Sequence, residues 1–125
     1  MPFAYRIDPV QGLIEATYSG ALTTDEMRVA SDQIIHDPAF KPEFRSLVIY
    51  SGILLTPSLT DLIKHKTWRQ QVPRVRQMAI VAETELEYGV ARMYELATNG
   101  VAAKEMRIFR NVKDARDWLG IPVRL

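Results

Sequence analysis

A chain of 125 residues that is 47% hydrophobic and 25% charged is sized for one domain around one core. Its 16 basic and 15 acidic side chains leave a formal net charge of +1, which gives no general attraction to nucleic acid or to an anionic membrane. There is no cysteine, so disulfides, thiolate catalysis and cysteine-held metals are excluded.

The amino terminus, MPFAYRIDP, lacks a basic region followed by an apolar one, and apolar runs such as Met78 to Ala82 are far too short to span a bilayer. A cytoplasmic protein without membrane insertion is expected. Phe3, Tyr5 and Ile7 alternate with Ala4 and Arg6, the period-2 pattern of a half-buried strand. Asp8 to Gly12 has turn chemistry, and Leu13 to Tyr18 returns as a second strand with Ile14, Ala16 and Tyr18 on one side. Thr23 and Glu26 have capping-box spacing at the head of a helix whose inner stripe is Met27, Ala30 and Ile34. Pro38 stops that helix at Asp37.

Leu47 to Tyr50 is an apolar run of β-formers, expected to be a strand covered on both faces and ended by Ser51-Gly52. Ser58 and Asp61 then cap a second helix whose buried side is read as Leu59, Leu62 and Ile63. Gln77 to Ala82 is a third buried strand, and Thr84 with Glu87 caps a third helix. Its inner face is read as Leu86, Val90, Met93 and Ala97, with Tyr94 and Leu96 flanking. Met106 to Phe109 forms the last strand, and a final helix beginning at Asn111 turns Ala115, Trp118 and Leu119 inward before Gly120. The order ββ-α-β-α-β-α-β-α over residues 1–125 predicts a single-domain α/β fold. About five strands should form a mixed, mostly parallel sheet with four helices, joined by right-handed crossovers.

Four segments carry a family likeness. They are Gly20-Ala21-Leu22-Thr23, Asp37-Pro38-Ala39-Phe40 before the central strand, Tyr88-Gly89-Val90-Ala91-Arg92-Met93, and Ala115-Arg116-Asp117-Trp118-Leu119-Gly120. In this order and spacing the chain resembles the STAS-like domain of sulfate transporters and anti-sigma factor antagonists, in a branch of small stand-alone bacterial proteins. The resemblance implies a non-enzymatic regulatory module that binds a protein partner, with no cofactor. In the sporulation antagonists a serine in an Asp-Ser-Ser-Gly motif, at the start of the helix after the central strand, is phosphorylated and switches partner binding. Ser58 is the nearest counterpart here and Thr56 the next, without the preceding aspartate or following glycine.

Read from the residues, Ser58 and Thr56 are first of all candidate helix caps, which any helix at this point needs. Ser51, Gly52, Lys64, Trp68 and Arg69 form a candidate partner surface at the carboxyl end of the central strand, where ligands gather in open α/β sheets. Lys64, Lys66, Arg69, Arg74 and Arg76 form a basic run, read as a solvated face rather than a nucleic-acid site. His65 is expected to be solvated within it. His36 beside Asp37 is expected at a helix carboxyl terminus rather than in acid–base work, and Glu83, Glu85 and Glu87 to complement a helix dipole. Gly20, Gly52, Gly89 and Gly100 are scattered, which suits turns and one close helix contact rather than a phosphate cradle. Tyr88, Met93 and Tyr94 are candidate walls of a pocket for a small or lipid-like ligand, or else core or a homodimer face. No metal-ligand set or glycine-rich phosphate loop occurs.

Overall fold

The first turn is set by Asp8. Its carboxylate accepts hydrogen bonds from the N–H groups of Val10 (3.0 Å) and Gln11 (3.2 Å), and Gly12 takes a φ of +63° that a side chain would strain. The turn joins β1 (Phe3–Asp8) to β2 (Leu13–Ala21) as an antiparallel pair. The computed structural model describes residues 3–55, 58–98 and 100–122. After β2 come α1 (Thr24–Ile35), β3 (Arg45–Leu55), α2 (Leu59–Arg69), β4 (Val75–Ala82), α3 (Glu85–Ala97), β5 (Ala103–Phe109) and α4 (Val112–Leu119). The strands form one sheet in the order β1-β2-β3-β4-β5, and every pair after the first is parallel.

Strands adjacent in sequence are adjacent in space, so right-handed crossovers put α1, α2 and α3 on one face. That face holds the larger core, where Ala16, Tyr18, Val48, Tyr50 and Ile80 meet Met27, Ala30, Leu62, Val90 and Tyr94. On the other face α4 packs alone, bringing Ala115 and Leu119 against Leu13, Leu47, Ala79 and Val81. Leu47 and Ala79 are fully enclosed, as expected of central strands covered on both sides.

Thr23, Ser58, Thr84 and Asn111 are the four N-caps, each accepting a hydrogen bond from the N–H three residues on. Two parts of the sequence reading need correction. β3 does not end at Ser51-Gly52 but continues to Leu55. Pairing with β2 shifts register at Gly20, where Gly20 aligns with Ile53 and Gly52 is passed over. Gly52, at a φ of +70°, supplies the left-handed backbone of this bulge. The buried stripes of α2 and α3 are also rotated by about one residue from the reading. Ile63 and Leu86 are 54% and 46% exposed, while His65, Arg69, Glu87 and Tyr94 are buried. Gly89 admits no close neighbour, since a Cβ there would meet nothing within 4 Å.

Candidate functional site

The carboxyl end of β3 is held by one buried carboxylate. Glu87 Oε2 accepts hydrogen bonds from the backbone N–H groups of Gly52 (2.7 Å) and Ile53 (3.1 Å). Its Oε1 accepts from Thr84 N (3.2 Å), and Glu87 N donates to Thr84 Oγ1 (3.1 Å). The capping box of α3 therefore also clasps the bulge of β3, 35 residues earlier in the chain. Burial pushes this carboxyl up, but the N–H groups of Ile53, Thr84 and Gly52 and the Thr84 side chain together outweigh it, so the net shift is downward. Glu83 and Glu85 are exposed. Glu85 pairs with Arg110 at 3.1 Å, and the Arg110 guanidinium lies 4.0 Å from the Tyr88 ring centroid, over the first turn of α3.

Ser51 and Gly52 are exposed beside this clasp. Ser58 is exposed and caps α2, with its Oγ accepting from Asp61 N at 3.1 Å. Thr56 lies outside the described residues. Lys64 and the unexpected Ile63 are exposed on α2, and Trp68 is half-buried. Arg69 departs from the surface expected of it, being only 5% exposed. The basic run is therefore not one face: Arg69 turns inward, and Arg74 donates to the carbonyl of Gly100 at 2.8 Å.

Beneath the carboxyl-terminal half of α2 lies a polar cluster that the sequence reading missed. His65, expected in solvent, is 4% exposed. Its Nε2 lies 3.4 Å from the Tyr94 hydroxyl, and its ring sits 5.7 Å from that of Trp68. Burial, then the charges of Arg69 and Arg28, push this imidazole down to about 4. Arg69 Nη2 donates to the carbonyl of Ala102 at 3.0 Å. Two buried atoms, His65 Nδ1 and Arg69 Nε, have no hydrogen-bond partner. Tyr18, Tyr50 and Tyr94 are also enclosed, and burial raises all three phenols, so each stays neutral.

Tyr18, Tyr50, Arg69 and Tyr94 border a cavity of about 60 Å³ between the sheet and α1 and α2. Tyr94 lines it; Tyr88 and Met93 do not, Tyr88 being stacked under Arg110 and Met93 packed at the edge of the larger core. His36 is the C-cap of α1, with Nδ1 2.9 Å from the carbonyl of Asp32. Asp37 instead accepts the Tyr5 hydroxyl at 2.9 Å, so no His36–Asp37 pair forms. Among the described residues no group of three or more histidine, aspartate or glutamate side chains is placed to hold a metal ion. No described helix is long and apolar enough to cross a membrane.

The sheet order and the flanking helices agree with what is found in related proteins. No curated protein matches the chain. A crystal structure of an uncharacterised DUF3478-family protein from Shewanella loihica PV-4, described as having a SpoIIAA-like fold, superposes with a TM-score of 0.56. It is 22% identical, and the match covers 94% of this chain and 93% of that one. That likeness shows the fold, which is the STAS-like α/β arrangement of five strands and four helices. The family model described as SpoIIAA-like matches residues 13–120, from the first residue of β2 to the residue that closes α4. With that span matched, the chain belongs to the SpoIIAA-like family.

Proposed function

We propose that the protein is a non-enzymatic regulatory module of the STAS type. It engages a protein partner through the Gly52 bulge, the Ser58-capped start of α2 and that helix's outer side. The observation that carries this reading is the Glu87 clasp, which fixes the exposed Ser51-Gly52 corner of β3; α2, the next helix in the chain, carries an exposed isoleucine, Ile63. A rigid corner loses little conformational entropy on docking, and a large exposed aliphatic side chain on α2 offers area to bury. Family membership supports a regulatory role, and the position at the carboxyl ends of parallel strands agrees with where open α/β sheets place their contacts. Ser58 serves the surface as the cap of α2.

The test compares wild-type protein and Ile63→Asp, each purified from its own cells and weighed by native mass spectrometry. Wild type is expected to carry a second polypeptide in defined stoichiometry, and Ile63→Asp to lose it while keeping its circular dichroism. A homodimer lost in the same variant would identify a second copy of the chain as the partner. A complex equally stable in both proteins would overturn the placement of the surface. A bare monomer in both would remove support for a binding module.

A further inference from the structure

The cavity between the sheet and the helices has one cationic end and otherwise largely apolar walls. Arg69 is 5% exposed, and a buried guanidinium is costly unless its charge and its donors are matched. Here Nη2 reaches the carbonyl of Ala102, and the charge lies 5.8 Å from the Trp68 ring centroid. Nε has neither a partner nor contact with solvent. Among the described residues no carboxylate pairs with it. The titratable groups around it make the demand sharper. His65 and the phenols of Tyr18, Tyr50 and Tyr94 are neutral, and Arg28 adds a second cation 5.2 Å from the Trp68 ring centroid. This end of the cavity offers positive charge and hydroxyl protons and, among the described residues, no anion to receive them. Away from Arg69 and the tyrosines the walls are mainly apolar, including Ile14, Met27, Ile34, Val75 and Ile80, with Ser31 and Ser46 as the polar exceptions.

We propose that this cavity is a binding site for a short-chain aliphatic carboxylate, with its carboxylate on Arg69 and its hydrocarbon tail against Met27, Ile34 and Ile80. A single cation among apolar walls suits a monoanion, because a dianion would carry an unmatched charge into the core. The planar guanidinium, which lines the cavity, suits a carboxylate through its fork of N–H donors. Size agrees as well. A buried water needs roughly 10–15 Å³, so a cavity of about 60 Å³ holds only a few heavy atoms. Longer chains would have to leave past the half-buried Ile35 and Phe40 and the exposed Pro73 at its edge. The site faces the inner side of α2 and does not depend on the partner surface, so either assignment can fail alone.

Titration of the full-length, isotope-labelled protein with butyrate, 1-butanol and butylamine, followed by NMR, tests the assignment. Butyrate is expected to give saturable shifts at the Met27 and Ile80 methyl groups below ~10 mM, within the millimolar range open to so small a ligand. The alcohol and the amine should bind at least tenfold more weakly. Arg69→Met should weaken butyrate at least tenfold without lowering the melting temperature, since it removes an unmatched buried charge. Three results would each overturn the proposal: no saturable butyrate shift, 1-butanol binding as tightly as butyrate, or unchanged affinity in Arg69→Met. The comparison of the three ligands on wild-type protein decides the matter even if that variant does not fold.

Discussion

Replacing Glu87 tests the link between the fold and the surface it presents. In Glu87→Ala the N–H groups of Gly52, Ile53 and Thr84 lose their acceptor. The Ile53 bond is buried, and a stranded buried donor costs about 1–3 kcal/mol. The bonds to Gly52 and Thr84 are only partly buried; water can replace the acceptor there, leaving about 0.5–1 kcal/mol each. The expected total is about 3 kcal/mol, a large fraction of the stability of a small domain. Glu87→Gln should cost less, about 1–2 kcal/mol. Its carbonyl can still serve Gly52 and Ile53, but its amide group must turn a donor toward Thr84 N. The sign of the pH dependence follows from a folded-state pKa below the ordinary 4.5. The charged form contributes stability above that value, and the contribution is lost as pH falls through the lower folded-state pKa. The gap between wild type and Glu87→Gln should therefore narrow on acidification. Urea unfolding at neutral and acid pH gives these differences, and hydrogen exchange at Gly52 and Ile53 shows whether the bulge itself loosens. A cost below ~1 kcal/mol for Glu87→Ala, or unchanged exchange at the bulge, would refute the clasp.

Ser58→Ala should cost about 1 kcal/mol in urea unfolding, because Asp61 N loses its cap, whereas Ser58→Asp, which keeps an acceptor there, should stay close to wild type. Gly89→Ala should raise stability by about 0.5–1 kcal/mol, seen as a melting point a few degrees higher, since the added methyl meets nothing and stiffens a helix interior. His65 is held down to about 4 against an ordinary 6.5, so the unfolded chain takes up a proton that the folded one refuses. Stability should then fall as pH drops from 6.5 toward 4, by about 3 kcal/mol from this residue. His65→Leu should lack that part of the loss when unfolding is measured across the same pH range.

The element order could be read from the sequence because local chemistry fixes it. Thr23, Ser58, Thr84 and Asn111 each announce a helix by spacing alone, and all four are caps in the structure. The extent of β3 was hidden because its second half crosses a bulge, where Ser51-Gly52 looks like an ending but only interrupts the pairing. In α2 the true inner stripe is Leu62, His65 and Arg69, spaced i, i+3, i+7. Two polar residue types on that stripe drew the reading toward Ile63 instead, although the spacing itself was available. In α3 the same one-residue rotation buries Glu87 and Tyr94 and exposes Leu86. Glu87 was legible as half of a capping box, but nothing local could indicate that its other oxygen reaches β3. Long-range satisfaction of a backbone donor leaves no spacing signal.

Crosslinking from defined positions inside the cell reports where the protein meets its partner. A photoreactive side chain would replace Ile63 on α2 and, in a separate protein, Lys113 on α4, both exposed but on opposite faces of the sheet. One discrete adduct is expected from position 63, abolished by Glu87→Ala, and none from position 113. Equal adducts from both positions, or an adduct from 113 alone, would contradict it.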